Sequence, residues 1–195
     1  MNHDERRFTD RSLAESMFDR RVLFLSGDLD DRRAGDLAMA LMALDAEGEE
    51  PITLRIDSSG GPLDASLPVM DTIDLLGVPV HATSSGRAEG SAIGVLAVCE
   101  RRRASANARF RLGLPQDSFA GAATDAENWI RQHRDRLDRL VARLSEACGQ
   151  PRERLHTDIE SGRYLDAEEA LRYGLIDEVL GRRDADVVPL ERKDR

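Results

Sequence analysis

Apolar residues fall in short runs separated by polar, glycine-rich breaks, and the order of runs and breaks repeats along the chain. Arg21-Val22-Leu23-Phe24-Leu25-Ser26-Gly27 reads as a buried strand ended by glycine. Asp31 to Leu44 follows as a helix with Ala34, Leu37, Ala38, Leu41, Met42 and Leu44 on one stripe, and Glu47-Gly48-Glu49-Glu50-Pro51 stops it. The pattern then predicts a strand over 52–56, a turn over 57–62, a helix over 63–76, a turn at Gly77, a strand over 78–83, a turn over 84–90 and a helix over 91–99. Asn107 to Leu112 reads as a strand closing at Gly113-Leu114-Pro115, and Gln116 to Ala123 as a polar loop.

The longest helix is expected over 124–147, capped by Thr124 with Glu127 completing a capping box. Trp129, Ile130, His133, Leu137, Leu140, Val141, Leu144 and Ala147 share one of its faces. A helix of that length exceeds what a small core needs, so it is expected to project and pair with another subunit. A helix over 151–160 follows, then one from Ala167 to Tyr173 capped by Asp166, then a closing strand at Gly174 to Leu180. Strands alternating with helices imply right-handed crossovers and a largely parallel α/β sheet. The expected organisation is an N-terminal arm over 1–20, one domain over 21–180 and a charged tail over 181–195.

Composition narrows the function classes. The chain has 195 residues, 41% of them hydrophobic, enough for one sizeable core. Its net charge of −9 argues against nucleic acid as a partner, because phosphate binding wants a basic face. Cys99 and Cys148 sit in apolar helical contexts and read as buried hydrophobes, not as a disulfide or metal pair. No apolar run approaches membrane-spanning length and none resembles a signal peptide, so the expected location is cytoplasmic.

The organising stretch is Leu54 to Val98, where strand, glycine turn and helix occur twice. Asp57-Ser58-Ser59-Gly60-Gly61 and Gly86-Arg87-Ala88-Glu89-Gly90-Ser91 are turns of the kind that present backbone N–H groups to an anion. Ser91, where the second helix begins, is the candidate nucleophile.

These segments, together with Asn107-Ala108-Arg109-Phe110, Thr124-Asp125-Ala126-Glu127, Ala167-Glu168-Glu169-Ala170 and Tyr173-Gly174-Leu175-Ile176-Asp177, resemble the proteolytic subunit of the Clp protease, ClpP, from about Arg21 to Leu180. The resemblance implies a ClpP/crotonase-like fold of repeated ββα units with a long handle helix. It also implies a heptameric ring, possibly two stacked rings, made of this chain alone or with a ClpP paralogue. An AAA+ Clp ATPase would deliver unfolded polypeptide to a Ser-His-Asp triad. No cofactor, metal, nucleic acid or membrane is implied.

Transferred residue by residue, the triad departs from the family. The serine motif aligns with Gly90 at the nucleophile position without a gap, and with Ser91 if one residue is inserted; the second register matches the following helix better and is preferred. Gly113 stands at the histidine position and Gly162 at the aspartate position. Gly60, Gly61 and the N–H of Ala92 match the oxyanion hole, with Ser59 where the family has proline. His3, His81, His133 and His156 are read as surface histidines remote from Ser91. Glu89 could act as a base, but an exposed-turn charge is the preferred reading, as for Arg87; Arg101-Arg102-Arg103 reads as a solvated turn. A serine without a base is a poor nucleophile. The expected function is therefore a catalytically impaired, structural or regulatory ring subunit. The alternatives are an active serine endopeptidase using Ser91 and a crotonase-like acyl-thioester enzyme or binder.

Overall fold

In the computed structural model, residues 13–181 are described; most of the expected arm and tail lie outside them. A helical segment over residues 13–18 precedes strand β1 (Val22–Asp28). The elements then run α1 (Asp31–Glu47), β2 (Ile52–Gly60), α2 (Leu63–Leu75), β3 (Val80–Glu89), α3 (Ala92–Ala97), β4 (Arg101–Ser105) and β5 (Arg109–Leu112). They finish with α4 (Ala123–Cys148), α5 (Arg152–Ser161), β6 (Arg163–Asp166), α6 (Ala167–Tyr173) and β7 (Glu178–Leu180). Among these residues no helix is long and apolar enough to cross a membrane.

The strands form one seven-stranded sheet in the order β1-β2-β3-β4-β7, with β5 on β3 and β6 on β5. All pairs are parallel except β5 with β6. The fold class is thus the expected mixed α/β one, and the parallel ladder follows from helical crossovers between successive strands.

The β3 strand is longer than its apolar run predicts. Its first half pairs with β4 through His81 to Ser84, and its second half with β5 through Arg87 to Glu89. The expected turn over 84–90 is therefore mostly strand. What looked like a break is a bulge: Ile56 pairs Ser84, whereas Ser58 pairs Ala88. The Asp57 carboxylate fills it, accepting the Arg87 N–H at 3.0 Å, and a Cβ on Gly86 would lie only 2.4 Å from Asp57 Oδ1.

A second correction concerns Arg101-Arg102-Arg103, which lies in β4 between β3 and β7 and not in a solvated turn. Its middle arginine is a clamp. Arg102 Nε donates to Asp177 Oδ2 at 3.2 Å, its backbone N–H to the same oxygen at 2.7 Å, and its Nη1 to Ala147 O at 2.9 Å. One side chain thus ties the sheet edge to the last turn of α4, where carbonyls lack helical partners. Partial burial pushes the Asp177 carboxyl up, but side-chain and backbone hydrogen bonds from Arg102 outweigh it and hold the group below the usual carboxylate range.

Helix α4 begins at Ala123 with Ala122 as its cap residue and no side-chain cap bond, so Thr124 lies inside the first turn instead of capping it. The helix is about 39 Å long at 1.5 Å per residue. Its apolar face splits in two. Leu140, Val141, Leu144 and Cys148 are buried, whereas residues 124–139 include no buried side chain and Ile130 is 43% exposed. The N-terminal half is largely exposed. The predicted cap on α6 is present as a full capping box between Asp166 and Glu169. Strand β6, absent from the sequence-based expectation, lies antiparallel on β5.

Arg102→Ala is expected to lower unfolding free energy by about 2 kcal/mol near pH 7, the scale of lost hydrogen bonds to charged groups. Asp177 has a depressed folded pKa, so its contribution is present above the unfolded carboxylate pKa and fades as pH falls through the folded value. The gap in urea unfolding between wild type and variant should therefore be largest near pH 7 and narrow at strongly acid pH to what the Ala147 bond contributes.

Candidate functional site

The two glycine turns meet at the C-terminal ends of β2 and β3, as is usual for sites in open parallel sheets. Contact there is backbone to backbone. Gly60 has a φ of +80°, and a Cβ on it would lie 2.5 Å from Glu89 O and 2.9 Å from Ser91 N. A Cβ on Gly61 would lie 2.0 Å from Leu29 O. No side chain fits at either position, so the pair is required by close approach as well as by turn geometry.

Ser91 is fully buried and its hydroxyl points inward. Oγ donates to Gly61 O at 2.8 Å and accepts the Gly61 N–H at 3.0 Å, so one hydroxyl satisfies both backbone groups of one residue. Ser58 does the same kind of work next to it, donating to Gly27 O at 2.6 Å and accepting the Gly60 N–H at 3.1 Å. The N–H groups of Gly60 and Gly61 are therefore engaged by serine hydroxyls. Ala92 N lies 3.3 Å from where a Cβ on Gly60 would stand, which brings the three sequence-predicted oxyanion positions to one place.

Gly90 faces elsewhere. It has a φ of +53°, and a Cβ on it would meet only Ser59 O at 3.6 Å and Leu114 O at 3.8 Å. A Cβ at 90 would thus stand between Ser59 and Leu114, whereas the Ser91 side chain is buried against Gly61.

Gly113 is buried at the end of β5, and Gly162 is the left-handed cap of α5 with φ +66°. Both flank Arg111: a Cβ on Gly113 would lie 3.4 Å from Arg111 Nε, and one on Gly162 would lie 3.2 Å from Nη2. Asp158, on α5 four residues before Gly162, is taken up structurally. It accepts from Tyr173 OH at 2.7 Å and from Arg163 Nη1 at 3.1 Å. Burial, then the Asp158 bond and charge, push the Tyr173 hydroxyl pKa well above its usual value.

The other ionisable candidates lie apart from this point. His81 is on β3 in register with Arg101, its pKa lowered by burial and then by that arginine. His156 sits 3.5 Å from Asp138; His3 lies outside the described residues. His133 makes a pairing that sequence reading missed. Its Nδ1 is 3.3 Å from Asp117 Oδ2, its ring stacks on Trp129 at 5.1 Å, and Asp117 Oδ1 accepts the Leu63 N–H at 3.2 Å. Burial pushes the Asp117 carboxyl up. Only the turn-like composition of 116–123 hinted that an aspartate there would fold back onto the start of a helix. Arg87 pairs with Asp57 at 4.0 Å, and Glu89 is half-buried in β3. Burial pushes the Cys99 thiol up to about 12 and that of Cys148 to about 11, so neither supplies a thiolate at neutral pH.

Ser91→Ala leaves the buried N–H and C=O of Gly61 without partners. It is expected to cost about 2 kcal/mol and to lower the thermal midpoint by roughly 4–8 °C, read by circular dichroism; a stability-neutral Ser91→Ala would contradict the staple role.

The family model of Clp protease matches residues 4–183. That span takes in the glycine turns, the sheet and the long helix, and with the seven-stranded α/β architecture it makes the chain a member of the Clp protease family with a ClpP-like fold.

Proposed function

We propose that this chain is a non-cutting subunit of a Clp proteolytic complex, one that lends structure or regulation to a ring. The observation that carries this reading is that the hydroxyl of Ser91, the candidate nucleophile, is bonded to Gly61, and the resemblance adds glycines, Gly113 and Gly162, at the positions of the base and of the carboxylate that orients it. Peptide hydrolysis by this family needs a hydroxyl aimed at the carbonyl and a base to take its proton. Neither requirement is met by the side chains gathered here, and the nearby Asp158 is held by Tyr173 and Arg163.

Assembly is the remaining activity. The Clp protease family generally forms oligomeric rings that work with Clp ATPases. In this reading the chain enters such a ring, alone or with a ClpP paralogue, in the cytoplasm, and contributes docking surface for an AAA+ Clp ATPase and a wall of the chamber that receives unfolded polypeptide. The exposed N-terminal half of α4, with Ile130 in solvent, supports a face that is completed by another subunit.

The test is fluorophosphonate labelling and peptidase turnover of the purified protein, alone and co-expressed with a paralogue, with native mass spectrometry to count subunits. Rings without labelling or turnover by this chain are the expected result. Labelling that disappears in Ser91→Ala would support the active endopeptidase alternative, and tight binding of coenzyme A thioesters would support the acyl-thioester one.

A further inference from the structure

The three glycine positions share one neighbour. The Gly90 N–H donates to Arg111 O at 3.1 Å. The Arg111 guanidinium stands beside both other glycines, with Nε 3.4 Å from a Cβ built on Gly113 and Nη2 3.2 Å from one built on Gly162. It therefore takes up space that side chains at 113 and 162 would share. Its Cζ lies 5.5 Å from the centre of the Tyr164 ring, which is 62% exposed, so an aromatic face backs the cation on one side.

The charge is not neutralised locally. Among the described residues no carboxylate forms an ion pair with Arg111 and no acceptor takes its side-chain N–H groups. Glu89 is its neighbour in the β3–β5 ladder, yet the two side chains make no ion pair. Asp166, on the adjoining strand, is opposite Arg109 and is used to cap α6 through the Glu169 N–H at 2.8 Å. Arg109 lies two positions earlier on the same exposed face of β5 and adds to the positive potential. Asp158, the nearby buried carboxylate, is bonded to Tyr173 and Arg163.

A guanidinium offers paired donors in a planar fork that matches the two oxygens of a carboxylate, and such bonds are stronger than neutral ones. We propose that the space around Gly113 and Gly162 is a carboxylate-binding subsite, in which Arg111, backed by Tyr164, holds the C-terminal carboxylate or an acidic side chain of a polypeptide that the subunit retains without cutting. The inference rests on the non-cutting reading above, which makes polypeptide the ligand. With a cation in this space and no base beside it, the site suits anion binding and not proton transfer.

The test uses the full-length protein and three fluorescent peptides of one sequence, read by anisotropy at low and moderate salt. One has a free C-terminal acid and an internal Gln, one is its C-terminal amide, and one is the amide with Glu in place of Gln. A carboxylate-bearing peptide is expected to bind at least about tenfold more tightly than the uncharged amide, the scale of a lost charge-assisted bond. Which of the two acidic peptides gains identifies the source of the carboxylate. Arg111→Gln should abolish the difference, and Arg111→Lys, which keeps the charge without the fork, should shrink it should the first variant fold poorly. Arg172→Gln, which removes an exposed charge on α6, should leave it intact. Equal binding of acid and amide, retention of the difference in Arg111→Gln, or no binding of any peptide overturns the subsite while leaving the non-cutting reading standing. Cleavage of a bound peptide overturns that reading, and this proposal with it.

Discussion

Everything at the centre of this molecule depends on how closely the end of β2 approaches the start of α3. The Gly60–Gly61 turn sits against Glu89, Ser91 and Leu29 with no room for a Cβ. Two loops packed that tightly bury backbone groups that water cannot reach, and each must find a partner inside the protein. Ser58 and Ser91 supply those partners with single hydroxyls that donate and accept at once. A hydroxyl is suited to this because it carries one donor and two acceptor lone pairs. The same bonds that hold the turns together occupy the serine hydroxyls and two amide N–H groups.

The glycines at 90, 113 and 162 have different local justifications, which bears on how such a site persists. Gly90 and Gly162 both have positive φ, and Gly162 ends a helix in the left-handed conformation where a side chain is disfavoured. Gly113 carries no such backbone demand; its neighbourhood is filled by Arg111. Two of the three positions are thus explained by backbone conformation, and the third by the neighbouring guanidinium.

Much of this architecture was legible in the periodicity of the chain. β1, β2, α1 and α4 declare themselves by apolar alternation or a 3.6-residue stripe, and Asp166 with Glu169 announces the α6 cap. The misses have specific causes. Strand β4 was hidden because Arg101, Arg102 and Arg103 read as surface, although Arg102 satisfies its charge on Asp177 and a helix terminus that lies far away in sequence. The second half of β3 was hidden because Gly86 mimics a turn, and only the Asp57 carboxylate folded into the bulge shows why a glycine stands in a strand. Thr124 offered a cap that the backbone bypassed by starting the helix one residue earlier. At the site, the Gly60–Gly61 turn could be read from the sequence, whereas a role for Gly113 and Gly162 was suggested only by the resemblance. The direction of the Ser91 hydroxyl could not, because it depends on which backbone comes within 3 Å after folding.

The long helix and the central site make the same point from opposite ends of the molecule. In α4 the buried residues from Leu140 onward anchor the helix to the body, while the stretch before it keeps Ile130 exposed and sets Trp129 against the Phe119 and His133 rings. Exposed apolar surface on a helix costs solubility unless another surface covers it, so the two ends of α4 meet different constraints. The C-terminal end is fixed by the core and by the Arg102 bond to Ala147 O. The central turns are fixed by close backbone approach, where a Cβ on Gly60 or Gly61 would collide with neighbouring backbone. Both depend on what comes within reach after folding and not on local propensity.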